Sequence, residues 1–553
     1  MLASNTSGGL KVLLVGFQDQ DNLGLRYLIS SVRAAGHDAE IATFQTDPVP
    51  LVLKALEINP DVIGLSLIFQ YMTDAFAVVV AALRKAGVTA HIIIGGHYPS
   101  FSYAEVFAAT PGLDSIARYE GEGTLVELLE CLSSGRDWRL IKGLAYRDGN
   151  GNAVSNCLRE PVADLDTLPW PERSDISYEA SPMPTASILA SRGCPWDCSF
   201  CSIRPFYEAQ GGKLRRLRRP DIVVDEMEKL YRDRGVQIFL FQDDDYLATG
   251  RRAREWSEDV AREIVKRDLG SHIRLKISCR SDEIREEHLA KLMEGGLTHV
   301  YMGVESGDED SLINMNKMLK PQAHLAAGQV LRSLGLSFDF GFMLMEPYSN
   351  FGSIRNNIDF LDRFVGDGYT VATFCRMLPY AGTPIKTRLE SEGRLKGSAT
   401  QPDYDFLDPR LDLFYAWMIE AFHKRNFSSE GLSQILRLLG FQARLVLDGV
   451  AQASTDERAY LRYLTAQANQ TAFHIARQAL DYLETLDLDE LDGATEYLGF
   501  LAGMEHREEE RMGRQAMDLY RQLSARRAAA PGGFDKSWTF TGSDYETRGL
   551  GAA

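Results

Sequence analysis

Three cysteines, Cys194, Cys198 and Cys201, fall within eight residues, in the segment SRGCPWDCSFCSI that runs from position 191 to 203. Their C-x3-C-x2-C spacing puts three thiolates on one short loop, and thiolate ligation is what an iron–sulfur cluster requires. Three protein ligands on a cubane leave one iron open to an outside group, just as an open catalytic zinc site differs from a closed structural one. The alternative chemistry is a zinc site completed by a distant His. A zinc ribbon needs a second C-x2-C pair, and the sequence has none. The other cysteines are Cys131, Cys157, Cys279 and Cys375, giving an odd total of seven, which argues against a disulfide framework. Cys279 and Cys375 lie in strand patterns and read as inert core thiols.

The cysteine loop needs a rigid support, and the flanking sequence provides one. From Ala186 to about Leu389 apolar strand patterns (186–190, 237–241, 274–279, 299–303, 338–343, 370–377) alternate with helical ones (222–233, 253–268, 287–295, 322–334). Six such units predict a partial parallel (β/α)6 barrel with its site at the strand carboxyl ends. Residues 10–160 alternate likewise, with strands at 11–17, 39–43, 62–67 and 91–94 and helices at 23–36, 73–86 and 104–108. Strands apolar throughout predict a doubly wound, Rossmann-like parallel sheet, which binds ligands at its strand carboxyl ends. A Pro-rich connector covers 164–185. After position 396 the pattern is helical (411–424, 431–448, 457–488, 494–527), with no strand pattern and a loose tail from Ala528 in which Trp538 and Phe540 are the docking candidates. The expected fold is α/β with four parts: a ligand-binding sheet domain at 1–163, a linker at 164–185, a barrel at 186–395 and a helical domain at 396–553.

With Phe200 just before its third cysteine, the loop resembles that of the radical S-adenosylmethionine (SAM) enzymes, and the later strand ends resemble theirs in order. Asp243 and Asp244, in FQDDD at the end of the second strand, correspond to the segment that recognises the SAM amino group. Arg280 follows the third strand. Glu305 and Ser306, in GVESG, resemble the segment that contacts the SAM ribose and carboxylate, and Met343 lies in FGFMLMEP, which resembles the strand supporting the adenine. Each of these later motifs is weak alone, with Asp243–Asp245 open to reading as a solvated loop and Glu305 as a helix N-cap carboxylate; their order behind the cysteines carries the resemblance.

Residues 10–160 resemble the cobalamin-binding domain that precedes many radical SAM barrels. The matching residues are Asn22, Leu23, Gly24, Ser66, Gly95, Gly96, His97, Tyr98, Glu120, Gly121 and Glu122. Gly95 and Gly96 permit close backbone approach to a flat corrin, and Ser66 can hydrogen-bond the nucleotide tail. The Asp-x-His-x-x-Gly segment that supplies a lower axial His elsewhere is absent, so cobalamin is expected to bind without a His ligand from the protein; His97 reads as a loop histidine with an ordinary hydrogen bond. A dinucleotide-binding domain would carry G-x-G-x-x-G after its first strand, and this one does not. A methylthiotransferase would need three further cysteines in its first domain, where only Cys131 and Cys157 occur.

The resemblance implies a [4Fe–4S] cluster, SAM and cobalamin. It also implies a methyltransferase acting through a 5′-deoxyadenosyl radical and methylcobalamin on an unactivated carbon of a small molecule, peptide or lipid. A non-methylating cyclisation, ring contraction or oxidative rearrangement is the second reading, and a non-catalytic cofactor-binding protein the third. An electron donor such as flavodoxin or ferredoxin is the implied partner. The 553 residues carry 77 acidic and 60 basic side chains, a formal charge of −17, which makes nucleic acid an unlikely partner. No apolar run approaches the ~20 residues of a membrane span, and the first residues lack signal-peptide features, so a cytoplasmic protein is expected. Lys213–Arg219, with five basic residues in seven, reads as a solvated loop.

Overall fold

The computed structural model describes residues 9–18, 21–176, 184–445 and 453–528, with the side chains of 526–528 excepted. The first unit is a seven-stranded sheet ordered β2-β1-β3-β4-β5-β6-β7, built from β1 (Lys11–Gly16), β2 (Asp38–Thr43), β3 (Val62–Ser66), β4 (His91–Gly95), β5 (Ser115–Ala117), β6 (Leu144–Arg147) and β7 (Ala153–Ser155). The first five strands are parallel, and β6 and β7 extend the edge antiparallel. Leu13 and Val15 pack into one core and Val12 and Leu14 into another, one on each face of β1, as a sheet covered on both sides requires.

The second unit is an open half-barrel of six parallel strands: β8 (Thr185–Ile188), β11 (Ile238–Phe241), β12 (Arg274–Arg280), β13 (Leu297–Glu305), β14 (Ser337–Met345) and β15 (Cys375–Arg376). A small hairpin of β9 (Ser191–Arg192) and β10 (Arg216–Leu217) stands at its mouth. The outer helices follow the apolar periodicity. In Arg251–Lys266, for example, Ala253, Trp256, Val260, Ala261 and Ile264 are buried.

The last barrel strand is shorter than the pattern at 370–377 predicts. Helical side chains take the backbone groups that would have paired: Asn469 accepts from Ala372 N and donates to Thr370 O, Arg425 donates to Ala372 O, and Asn426 donates to Phe374 O. The helical region comprises Pro409–Phe427, Leu432–Arg444, Thr455–Glu484 and Thr495–Ala528. A short antiparallel pairing of Leu395–Gly397 with Pro402–Tyr404 precedes it, where no strand was expected. Parts of the linker and of the helix expected at 431–448 lie outside the described residues, as does the tail from 529, including Trp538 and Phe540.

Candidate functional site

The cysteine loop follows β9 at the carboxyl end of β8. Cys201 N donates to Cys198 O (3.1 Å) and Ile203 N to Cys201 Sγ (3.5 Å), which curls the loop around its own thiols. Ser199 ties it to the far side of the barrel through Met315 O (2.8 Å) and Asn314 O (2.9 Å). All seven cysteines are free. Burial pushes the Cys194 and Cys198 thiols up and that of Cys201 to about 12, so their thiolates need a positive partner. Among the described residues no three His, Cys, Asp or Glu side chains gather round one point as a single metal ion demands. Three thiols on one loop suit three corners of a cubane.

The strand-end residues divide into two groups. Asp243 is buried, accepts from Ala190 N (3.1 Å) and from Ser191 Oγ, and is thereby committed to bracing the start of the cysteine loop. Asp244 accepts from Gly193 N (2.8 Å) and faces open space inside the molecule. Burial raises the Asp243 carboxyl to about 6. Arg280 and Glu305 meet around a residue the sequence did not single out, Lys317. Its Nζ pairs with Glu305 (3.2 Å) and its carbonyl accepts from Arg280 (2.7 Å). Arg280 also lies over the Trp196 ring (3.8 Å) and reaches Cys198 Sγ (3.8 Å). Glu305 is held at φ +68° where the β13–β14 register shifts, an unusual backbone state for a residue with a side chain. Ser306 is fully buried and donates to Asn357, away from the rim. Met343 is buried in β14 beside Cys375, and Lys317 Nζ lies 5.8 Å from the Phe200 ring.

A cavity of about 500 Å³ opens between the two units. The sheet side contributes Asn22, Leu23, Gly24, Ser66, Gly95, Gly96, His97, Glu120, Gly121 and Glu122, and the cavity runs down to Leu14, Gly64 and Ile93 in the strands themselves. The barrel side contributes Arg192, Phe206, Tyr207, Gln242 and Asp244. Gly96 is required at its place: φ is +118°, and an added Cβ would sit 2.3 Å from Leu67 O. Asn22 caps the following helix through Leu25 N (3.2 Å). Tyr98 is buried and donates to Ala399 O (3.2 Å). The His97 ring stacks on Phe206 (4.4 Å), its Nε2 is buried without a hydrogen-bond partner, and burial lowers its pKa to about 4. The ordinary hydrogen bond expected of this histidine is therefore absent at Nε2.

Glu120 and Glu122 turn toward the barrel. Arg192 pairs with both (3.2 and 2.6 Å), and Arg216 pairs with Glu120 (2.6 Å). This corrects the reading of Lys213–Arg219 as a solvated loop. Arg216 and Arg218 are buried, the latter on Glu226 (2.7 Å), because the short strand β10 turns them inward; Arg219 alone among these three is exposed.

A family model described as the B12 binding domain matches residues 10–129, and one described as the Radical SAM superfamily matches 188–361. The chain belongs to the cobalamin-dependent radical SAM enzymes. It is 28% identical to an uncharacterized methyltransferase, PH0819, of Pyrococcus horikoshii, over 75% of this chain and 86% of the relative. A hopanoid C-3 methylase of Methylococcus capsulatus is 28% identical, over 76% and 79%. An anaerobic magnesium-protoporphyrin IX monomethyl ester cyclase of Rubrivivax gelatinosus is 29% identical, over 58% of each chain. The fold resembles that of the cobalamin-dependent SAM radical enzyme OxsB, with a TM-score of 0.67 at 18% identity, covering 94% of this chain and 80% of that one. The cofactors of this family are a [4Fe–4S] cluster, SAM and cobalamin. Among the described residues no helix is long and apolar enough to cross a membrane.

Proposed function

We propose that this radical SAM enzyme is a methyltransferase that transfers a methyl group to an unactivated carbon of a small molecule, peptide or lipid. When bound, the three cofactors supply a 5′-deoxyadenosyl radical for hydrogen abstraction and a cobalt-borne methyl group. One observation carries the reading. The glycine-lined edge of the sheet and the loop-bracing residues of the barrel share a single cavity, so Gly95 and Gly96 face Asp244 and Gln242 across it. A first domain that only regulated the barrel would not need to open onto the same space. Two of the methyltransferase relatives, PH0819 and the hopanoid C-3 methylase, align over about three quarters of this chain, the Rubrivivax cyclase over 58%.

In this reading Cys194, Cys198 and Cys201 hold the cluster. Arg280 donates to the Cys198 sulfur and offsets its negative charge. Glu305, Lys317 and Arg280 form a charged rim suited to an amino acid carboxylate, an ammonium and a ribose diol. Asp243 acts as a positioning residue through Ser191 and Ala190. Ala381 N donates to Gln70 (2.9 Å), joining the barrel edge to the sheet domain. A flavodoxin or ferredoxin would deliver the electrons.

The experiment is anaerobic reconstitution with iron, sulfide and cobalamin, followed by incubation with methyl-labelled SAM, reductant and extracts containing candidate substrates. The expected result is 5′-deoxyadenosine together with a product heavier by one CH2. Deoxyadenosine with a product lacking the label would replace methylation by cyclisation or oxidation, and no SAM cleavage would refute the enzyme assignment.

A further inference from the structure

Alternation along β12 separates two faces. Leu275, Ile277 and Cys279 pack into the core under the helices, and Lys276, Ser278 and Arg280 take the opposite face. Arg280 reaches Cys198 from that face, which is therefore the lumen. Lys276 sits deeper, beside His299 of β13, and the next layer up holds Ser278, Tyr301 and Asp339. The Tyr301 side chain stands open within the lumen, and the Lys276 ammonium lies 5.9 Å from its ring centre.

Among the described residues Lys276 makes no hydrogen bond and no ion pair. Asp339, the acidic side chain that faces it, is already engaged by His299 (3.3 Å), Thr370 (3.4 Å) and Arg437 (3.7 Å). Glu305, higher in the lumen, is paired with Lys317. Lys276 and Arg437 are thus two cations facing the one carboxylate of Asp339, and among the described residues the lumen keeps one positive charge without a counter-ion. A protein has no structural reason to hold an unpaired ammonium there, since removing it would relieve a desolvation cost. An unpaired buried charge of this kind marks a candidate ligand site.

We propose that the substrate carries an anionic oxygen group, a phosphate, phosphonate or carboxylate, which pairs with Lys276 inside the lumen. Lys276 lies four residues below Arg280, roughly 13 Å along the strand, so the substrate is elongated, with its anion remote from the reacting carbon. The inference rests on the reading of the chain as an enzyme that works in this lumen.

The test is thermal melting of the reconstituted holoenzyme with SAM present, titrated with inorganic phosphate, with acetate, and with chloride as the ionic-strength control. The expected result is a saturable rise in Tm with phosphate or acetate beyond that with chloride; whichever acts at lower concentration identifies the group. In Lys276→Met the half-saturating concentration should rise roughly tenfold to a hundredfold, and Lys276→Arg should restore it. Without added anion Lys276→Met should melt at or above the parent, where a lysine serving a structural pair would leave the variant less stable. Equal anion responses in parent and Lys276→Met, or a Lys276→Met variant that melts below the parent, would overturn the proposal. Neither result depends on turnover, so failure of the methyltransferase reading would show separately, as absence of SAM cleavage.

Discussion

Glu120→Gln tests the clamp that joins the two units around their shared cavity. The Glu120 carboxylate is buried and accepts from Arg216 (2.6 and 3.1 Å) and Val162 N (2.8 Å), with Arg192 at 3.2 Å. Burial raises its pKa, but the two guanidiniums and the amide outweigh burial and hold it below the ordinary 4.5. Removing one partner of a buried ion pair costs about 3–5 kcal/mol, because the other charge is stranded. Arg192 keeps Glu122, so the lower end applies; Arg216 keeps Val162 O and the face of the Tyr207 ring. A loss of about 3 kcal/mol should lower the melting midpoint by roughly 2–3 °C. It should also weaken cobalamin binding, since Glu120 and Arg192 line the cavity. A double-mutant cycle with Arg216→Met, read by calorimetry and cobalamin titration, should give a coupling of about 2 kcal/mol. The sign with pH follows from the lowered pKa. The stabilisation is complete above pH 4.5 and fades as pH falls through the folded value, so parent and variant should converge in acid. A midpoint within 1 °C of the parent, with unchanged cobalamin affinity, would show that the arginines are satisfied without Glu120 and that the clamp is incidental.

Replacing Cys194, Cys198 and Cys201 with Ala should abolish the cluster absorbance and leave cobalamin binding intact; about four irons per chain in the triple variant, measured by iron assay, would exclude these ligands. Glu305→Gln should weaken SAM binding by about one to two powers of ten at unchanged iron content, measured by equilibrium dialysis. Electron paramagnetic resonance of bound cob(II)alamin should show no histidine nitrogen, and His97→Phe should leave that spectrum unchanged. His97, half-buried with its Nε2 enclosed, is neutral in the fold, with a pKa of about 4 against 6.5, so the parent loses stability as pH falls below 6.5. His97→Phe should match the parent at pH 7.5 and gain about 1–2 kcal/mol on it at pH 5 in urea unfolding.

Features that depend on short stretches of chain were legible in the sequence. The three thiols share one loop whatever surrounds them, and strand–helix alternation is written in local apolar periodicity. The positive φ of Gly96 belongs to the same class, whereas the Leu67 carbonyl that would block a side chain there comes from the neighbouring strand end. Partner choice over long separations was not legible. Asp243, Asp244 and Asp245 are identical in composition, and only the fold gives Asp243 to Ser191 and Asp244 to Gly193, while Asp245 receives a hydrogen bond from Trp196. The arginine at 216 reads as part of a solvated run because its partner Glu120 lies 96 residues away. Asn469, 97 residues beyond Ala372, shortens the last strand by taking its backbone hydrogen bonds. Lys276 reads locally as one polar residue in a strand. Its meaning comes from the lumen, where the neighbouring carboxylate already has partners and the low dielectric makes a missing counter-charge costly.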